Sequence, residues 1–223
     1  MSANVRINNL RDLLYRPPER SVWLEICRTI HDWPRGDDLD VAMDYSKQLL
    51  DRWPDDARKA LGSWFNTSAE GYNRLWPLVR SLEFYFEGLQ DQGAMALAAS
   101  KRLRHITHLS LPLNNIGPDG AMALARSPHL GRLRWLDLSV NEIDDDSALE
   151  LLRSPMMKHL TSLNLQKNRL SEHGASALAR CPELSRLTAL HLAGNPIAES
   201  GRQALKNSPH LTPKARESLF KRV

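Results

Sequence analysis

The sequence is poor in cysteine and has no long apolar run. Its 223 residues include two cysteines, Cys27 and Cys181, which are too few for a disulfide framework. No apolar stretch approaches the length of about 18 residues that spans a membrane, and the first 20 residues lack the apolar core of a signal peptide. The 11 glycines and 13 prolines are too few for a collagen-like or disordered chain. These shortages favour a globular, cytoplasmic protein with reduced thiols.

The sequence also lacks the motifs of common catalytic and metal sites. It has no Gly-rich phosphate loop, no His-Glu-x-x-His, no Cys-x-x-Cys and no Gly-x-Ser-x-Gly. His105 and His108 are expected on different faces at the start of a strand, and two histidines without a third ligand make a poor zinc site. The run 144–146 is interpreted as a loop whose last aspartate caps the next helix, with a cation site as the alternative. We therefore expect no enzyme activity, no metal and no cofactor.

Charge is unevenly divided along the chain. The formal net charge is +4, and residues 76–223 contain 19 Lys or Arg against 14 Asp or Glu. A nucleic-acid-binding surface usually has a denser basic stripe. Nucleic-acid binding by this basic half is therefore kept as an alternative to a protein partner.

The sequence does contain a 27-residue repeat, and internal repeats decide the fold before local structure does. The segment 106–116 has the pattern L-x-x-L-x-L-x-x-N-x-L, and further copies begin at residues 133, 160 and 187, with a degenerate copy at 79. One column of the repeat consists of Glu87, Asn114, Asn141, Asn168 and Asn195. Further columns in register are Gly93, Gly120, Ser147, Gly174 and Gly201; Leu97, Leu124, Leu151, Leu178 and Leu205; and Ser100, Ser127, Ser154, Cys181 and Ser208.

Each column has a physical interpretation. Leu-x-Leu alternates between two faces as a short strand requires, and the Asn side chain can bond backbone groups where the chain leaves the strand. The Gly-Ala-x-Ala-Leu-Ala segment predicts a helix, which Ser-Pro ends. Cys181 replaces a serine and is expected to be a small packed residue.

This pattern resembles the ribonuclease-inhibitor-like class of leucine-rich repeats over residues 76–211. The resemblance implies an α/β solenoid of five β–α units with a concave parallel sheet and convex helices. The regular repeats and the short chain favour a bacterial source.

The ends of the repeat array predict two further parts. Residues 212–223 should form a capping helix with Thr212 as N-cap and Pro213 in its first turn. Residues 1–75 should form an all-α domain with helices at about 8–15, 20–32, 38–53 and 55–66. Five of the six tryptophans lie within residues 23–76. They are interpreted as core of this domain and cap of the first repeat, with one or two exposed partner anchors as the alternative.

The residues between the repeat leucines are the candidate binding surface, since they should project from the concave sheet. Trp135 and Tyr85 have the amphipathic character of interface anchors, and Glu83 and Asp137 could receive a cationic group. The alternative is that all are solvated strand residues. The predicted partner-binding set is Glu83, Tyr85, His108, Trp135, Asp137, Asn164, Gln166 and His191.

Together these features predict a non-catalytic protein–protein interaction module, either a scaffold or an accessory subunit. It would bind a protein partner through the concave strand face and the N-terminal helices, because five strands alone give a small interface. Two alternatives are a regulator, inhibitor or activator, of an enzyme or GTPase, and a nucleic-acid-binding accessory protein.

Overall fold

A computed structural model describes residues 3–65 and 70–221 of the chain. The chain divides into two compact units, Met1–Leu82 and Glu83–Val223. In the described residues of the first unit, the elements are α1 (Ala3–Leu14), α2 (Arg20–His31), α3 (Asp37–Leu50), β1 (Lys59–Leu61), α4 (Gly62–Phe65) and α5 (Glu70–Leu75).

Tryptophan side chains form much of the core of the first unit. Trp23, Trp33, Trp53 and Trp76 are buried, while Trp64 is half-buried. The indole nitrogen of Trp23 donates to the carbonyl of Lys59 at 2.9 Å, which satisfies its polar atom inside the core. The structure therefore favours the core interpretation for these four side chains.

The predicted helix over residues 55–66 is wrong. The chain instead forms a 3-10 turn over Asp55–Ala57, then β1 and α4. The carbonyl of Arg58 accepts hydrogen bonds from the backbone N–H groups of Arg80 at 3.1 Å and Ser81 at 3.2 Å. Pairing of β1 with the segment at Arg80 and Ser81 needs an extended backbone. This tertiary contact therefore outweighs the local sequence preference for a helix.

The repeats alternate strands and helices from residue 81 onward. The elements are β2 (Ser81–Glu83), α6 (Gln90–Ala99), β3 (His108–Ser110), α7 (Pro118–Ala125), β4 (Trp135–Asp137), α8 (Asp145–Arg153), β5 (Ser162–Asn164), α9 (Glu172–Leu178), β6 (Ala189–His191), α10 (Glu199–Lys206) and α11 (Pro213–Ser218). Strands β3 to β6 lie in chain order and pair in parallel. This arrangement confirms the predicted α/β solenoid of leucine-rich repeats.

The strand register equals one repeat. Leu109 pairs with Leu136, Leu136 with Leu163, and Leu163 with Leu190, and these leucines are fully buried. Because side chains alternate along a strand, the residues on either side of each leucine lie on the opposite face of the sheet.

The Asn column forms the predicted hydrogen-bond ladder. The Oδ1 of Asn141 accepts from the N–H groups of Asn114 at 3.1 Å and Ile116 at 3.0 Å. Its Nδ2 donates to the carbonyls of Leu111 at 2.9 Å and Leu138 at 3.0 Å. Each asparagine thus serves the turn of the repeat before its own. Glu87, at the same position in the first repeat, is exposed.

The serine column forms a second ladder along the helices. The hydroxyl of Ser127 donates to the carbonyl of Ala98, and that of Ser208 to Ala179, both at 2.6 Å. Cys181 interrupts this ladder, because its Sγ contacts the carbonyl of Ala177 in its own repeat at 3.5 Å. The thiol is buried, and this burial raises its pKa, as for a packed rather than a nucleophilic cysteine.

The aspartate run 144–146 differs from its predicted capping scheme. Asp144, not Asp146, is the N-cap of α8, and it forms a capping box with Ser147. Asp145 reaches the next repeat, where its Oδ1 accepts from the N–H of Ser171 at 2.8 Å. The first aspartate has the extended backbone that a cap needs, whereas the third already lies inside the helix.

The last helix ends the sheet. Thr212 caps α11 by accepting from the N–H of Ala215 at 3.1 Å, and Pro213 lies in the first turn. The hydroxyl of Ser218 accepts from the N–H of Leu190 at 2.9 Å. The carbonyl of Leu219 accepts from the N–H of Leu192 at 2.7 Å. The segment after α11 therefore pairs with the edge of β6.

Candidate functional site

The outward side chains of β3 to β6 form two rows across the sheet, which we call the strand face. One row follows the pairing of the first strand residues, and the other follows that of the third. The rows are His108, Trp135, Ser162 and Ala189, and Ser110, Asp137, Asn164 and His191. Parallel strands place neighbours in a row about 5 Å apart.

An aromatic pair lies at the β3–β4 end of the strand face. The rings of His108 and Trp135 are stacked, with centroids 6.1 Å apart and an interplanar angle of 27°. Both side chains are half-buried. The Nδ1 of His108 lies 3.0 Å from the hydroxyl of Thr107, a contact that fixes the ring. The pair presents a flat, ordered aromatic surface on the side of the sheet away from the leucine core.

Acidic and aromatic residues occupy neighbouring positions in the same repeats or in the repeat before them. Asp137 is half-buried, and its Oδ1 accepts from the N–H of Ser139 at 2.8 Å. Glu83 is half-buried as well. Tyr85 is 63% exposed. Asp137 thus gives the strand face a carboxylate that can meet a cation, while Glu83 and Tyr85 belong to the repeat before it.

Phe86 is a residue that the sequence interpretation missed. It follows Tyr85 and is 73% exposed, which makes it a large apolar side chain in water. Its backbone is left-handed, with φ of 54°, as is that of Leu113 one repeat later. The signal was an aromatic residue in a turn position where an apolar side chain has no strand role.

Two predicted site residues are not accessible. Asn164 and Gln166 are each 6% exposed. The Nε2 of Gln166 donates to the carbonyl of Lys221 at 2.5 Å, and the Oδ1 of Asn164 accepts from the N–H of Gln166 at 3.0 Å. Gln166 does not project freely from the sheet as expected, since it binds the segment after α11. These two positions are removed from the candidate surface.

His191 lies at the covered end of the strand face. Its side chain is half-buried. Burial lowers the pKa of His191, against smaller raising contributions from the Ser218 backbone and the Asp137 charge. The neutral imidazole is therefore the form that this site prefers.

The described residues contain no group of three or more His, Cys, Asp and Glu side chains that could hold a metal ion. Within the same described ranges, no helix is long and apolar enough to cross a membrane.

Comparison with known proteins gives the following similarities. Residues 102–125, 157–179 and 185–206 match the family model described as Leucine Rich repeat. Among solved structures, the chain is similar to an internalin of Listeria monocytogenes, with 18% identity and a TM-score of 0.33. That alignment covers 62% of this chain and 48% of the internalin, so the chain spans about half the length of that protein. No curated protein matches the chain.

Proposed function

Because this chain is a leucine-rich-repeat protein, we propose that its second unit is a non-catalytic module that binds a protein partner through the strand face. Leucine-rich repeats generally mediate protein–protein interaction, and this general role is the premise for a more specific site. The observation that carries the proposal is the stacked pair of His108 and Trp135 on the outer face of the sheet.

The aromatic pair has the properties of a binding anchor. Tryptophan and tyrosine are enriched at binding hot spots because a large rigid surface is buried at low entropic cost. The leucine core lies on the other side of the sheet, so packing of that core does not require an indole at position 135. The stack with His108 holds the indole in one orientation before a partner arrives, which lowers the cost of ordering it on binding.

The proposed surface is smaller than the sequence predicted. It comprises Glu83, Tyr85, His108, Trp135 and Asp137, with Phe86 added and with Asn164 and Gln166 removed. We propose that a cationic side chain of the partner meets Asp137 or Glu83, since both residues are partly exposed. His191 stays at the margin of the surface.

The proposal also includes the repeat subclass, the source, the cellular location and a role for the N-terminal helices. The α-helix in each repeat supports the ribonuclease-inhibitor-like class, and a bacterial source remains part of the proposal. The two buried free cysteines support a cytoplasmic location, where thiols stay reduced. The N-terminal helices are proposed as a second contributor to partner binding, either in a scaffold or in an accessory subunit.

The test is affinity capture from cells of the source organism with the full chain as bait. The variant Trp135→Ala/Tyr85→Ala removes both anchors, and we expect it to lose the captured partner while keeping its thermal unfolding midpoint within a few degrees. Met95→Ala, which trims an exposed methionine on α6, is the matched control. Retention of the partner by the double variant at wild-type levels would exclude the strand face.

The same experiment separates the alternatives. If the captured partner is an enzyme or GTPase, its activity with and without this protein distinguishes a regulator from a scaffold. Binding to nucleic acid instead would fall steeply with increasing salt. Absence of nucleic-acid binding at low salt excludes that alternative.

A further inference from the structure

Charge in the repeats is segregated between two edges of the sheet. Four nine-residue segments lead from a helix to the next strand, and they contain ten Lys or Arg residues and a single acid, Glu183. The intervening segments of residues 83–179 contain two Lys or Arg residues and eleven acids. The four basic segments, which we call the basic edge, are residues 99–107, 126–134, 153–161 and 180–188.

The topology places all four segments on one side. Strands β3 to β6 are parallel and in register, so every segment that precedes a strand meets the same edge of the sheet. The register also aligns equivalent residues of successive repeats into rows. The row three residues before each strand consists of His105, Arg132, His159 and Arg186.

Helix dipoles explain one part of this segregation. Cations are favoured near helix C-termini, and the effect falls off within the last turn. Arg126, Arg153 and Arg180 lie at or next to the ends of α7, α8 and α9, where the dipole accounts for them. Arg132 and Arg186 lie six residues further along the chain, beyond the last turns of α7 and α9, although Arg186 itself ends a short 3-10 helix, Pro182–Arg186.

Ion pairing leaves four cations of the basic edge without a counter-charge. In the described part of the chain, Arg126 pairs with Glu150 at 3.0 Å, whereas Arg132, Arg134, Lys158 and Arg186 form no ion pair. All four of these cations are exposed, including Arg186. Its Nη1 donates to the carbonyl of Lys158 at 3.2 Å, which holds the guanidinium against the neighbouring repeat. Like charges held together repel in the absence of an anion.

We propose that the basic edge binds an extended acidic segment of a partner protein. Neighbouring positions of the row are about 5 Å apart at the sheet. The four positions thus span about 15 Å, the length of an extended peptide of about five residues. The four segments contain no Phe, Tyr or Trp, so they lack the aromatic platforms on which single-stranded nucleic acids stack. This surface is separate from the strand face and does not depend on it.

The experiment uses the full chain and a fluorescein-labelled 12-residue poly-glutamate peptide at about 50 mM salt, where exposed charges are weakly screened. Arg132→Gln/Lys158→Gln removes two charges from the basic edge, and Lys167→Gln/Arg169→Gln removes two exposed charges from the opposite edge. We expect the first variant to lose at least about tenfold in affinity, or about 1.4 kcal/mol, and the second to stay within about twofold. Both exchanges lie at exposed positions, and the thermal midpoint verifies that each variant is folded.

Three results would overturn the proposal. The first is no peptide binding by the wild type, and the second is an equal loss in both variants, which reflects net charge alone. The third is tighter binding of a 12-nucleotide RNA than of the peptide, which identifies a nucleic-acid surface instead. Trp135→Ala/Tyr85→Ala should keep wild-type affinity for the peptide, so failure at the basic edge and failure at the strand face are distinguishable.

Discussion

The carboxylate of Asp145 occupies the space that a side chain at position 174 would need. A Cβ atom at Gly174 would collide with Oδ1 of Asp145, which accepts from the N–H of Ser171 at the start of the same helix. Gly120 has the same relation to Asp91, which accepts from its N–H at 2.9 Å. Where the preceding repeat has Pro118 instead of an acid, the column can hold Ser147. At positions 120, 147 and 174, the residue type therefore depends on the side chain 29 residues earlier.

This relationship predicts a coupled pair of substitutions. Gly174→Ser alone should lower the free energy of unfolding by about 1–3 kcal/mol, because the added side chain overpacks the helix contact. Asp145→Pro, which copies Pro118 at the first helical position, should offset much of that loss in the double variant. Urea denaturation of both single variants and the double variant gives the coupling free energy. Additive effects would contradict the steric explanation.

The ladder predicts a strong contrast within one column. Asn141→Ala should lower the free energy of unfolding by at least about 2 kcal/mol, since buried N–H and carbonyl groups lose their partners. Glu87→Ala, at the exposed first position of the column, should change it by less than about 0.5 kcal/mol. Chemical denaturation measures both. Equal effects would show that position in the repeat, rather than hydrogen bonding, sets the cost.

Restoring the serine ladder should stabilise the fold. Ser127 and Ser208 each reach a carbonyl 29 residues earlier, so Cys181→Ser should place a hydroxyl beside the carbonyl of Leu152 in the last turn of α8. Carbonyls there have no partner within the helix, and the new bond should contribute about 0.5–1.5 kcal/mol. Thermal unfolding measures the gain. Cys27→Ser, at a buried position outside the ladder, is the control and should destabilise the chain.

A left-handed turn residue predicts a matched pair of glycine substitutions. Gly194 has φ of 79°, and a Cβ there would press on the Lys167 side chain. Gly194→Ala should therefore cost about 1–3 kcal/mol. Gly131→Ala meets no atom within 4 Å and should change stability by less than about 0.5 kcal/mol. Equal midpoints of the two variants would argue against backbone strain at position 194.

The lowered pKa of His191 predicts a pH-dependent stability. The unfolded state binds the proton more readily than the folded state, so stability rises with pH between the lowered pKa and about 6.5. The stabilising contribution is present above about 6.5 and is lost as the pH falls through that window. His191→Gln should flatten the stability curve there, as measured by urea midpoints at several pH values. His173→Gln, at an exposed position, controls for the loss of a histidine; an unchanged slope in His191→Gln would contradict the assignment.

The sequence predicted those parts of the fold in which the same residue type recurs every 27 residues because only that side chain can do the structural task. The buried leucines and the Asn ladder have a single chemical solution, so their columns could be recognised. The left-handed turn column could not, because Phe86, Leu113, Val140, Lys167 and Gly194 share a backbone conformation while their side chains range from aromatic through charged to none. There the turn is held by the ladder asparagine one repeat later, as where Oδ1 of Asn114 accepts from the N–H of Glu87 at 3.0 Å.

Contacts between distant segments account for the wrong expectations. Gln166 donates to the carbonyl of Lys221, 55 residues later. The sequence around Gln166 contains no pattern that predicts this hydrogen bond. Within the predicted helix, Lys59–Leu61 forms a strand instead, next to Arg58, whose carbonyl accepts from Arg80 and Ser81. Trp135 was correctly placed on the outer face of the sheet, but its stack with His108 required the strand register.

The Asn ladder also makes the repeat a unit that can be removed or added. Each asparagine bonds backbone atoms 25 to 30 residues earlier, so excision of residues 141–167 would leave Asn168 directly after Val140, in the place of Asn141. Every turn that an asparagine now serves would keep that partner, whereas a deletion whose length is not a multiple of 27 residues would leave one turn without it. Natural variation in the length of such a chain should therefore proceed in steps of 27 residues, and the binding surface should grow or shrink by one strand at each step.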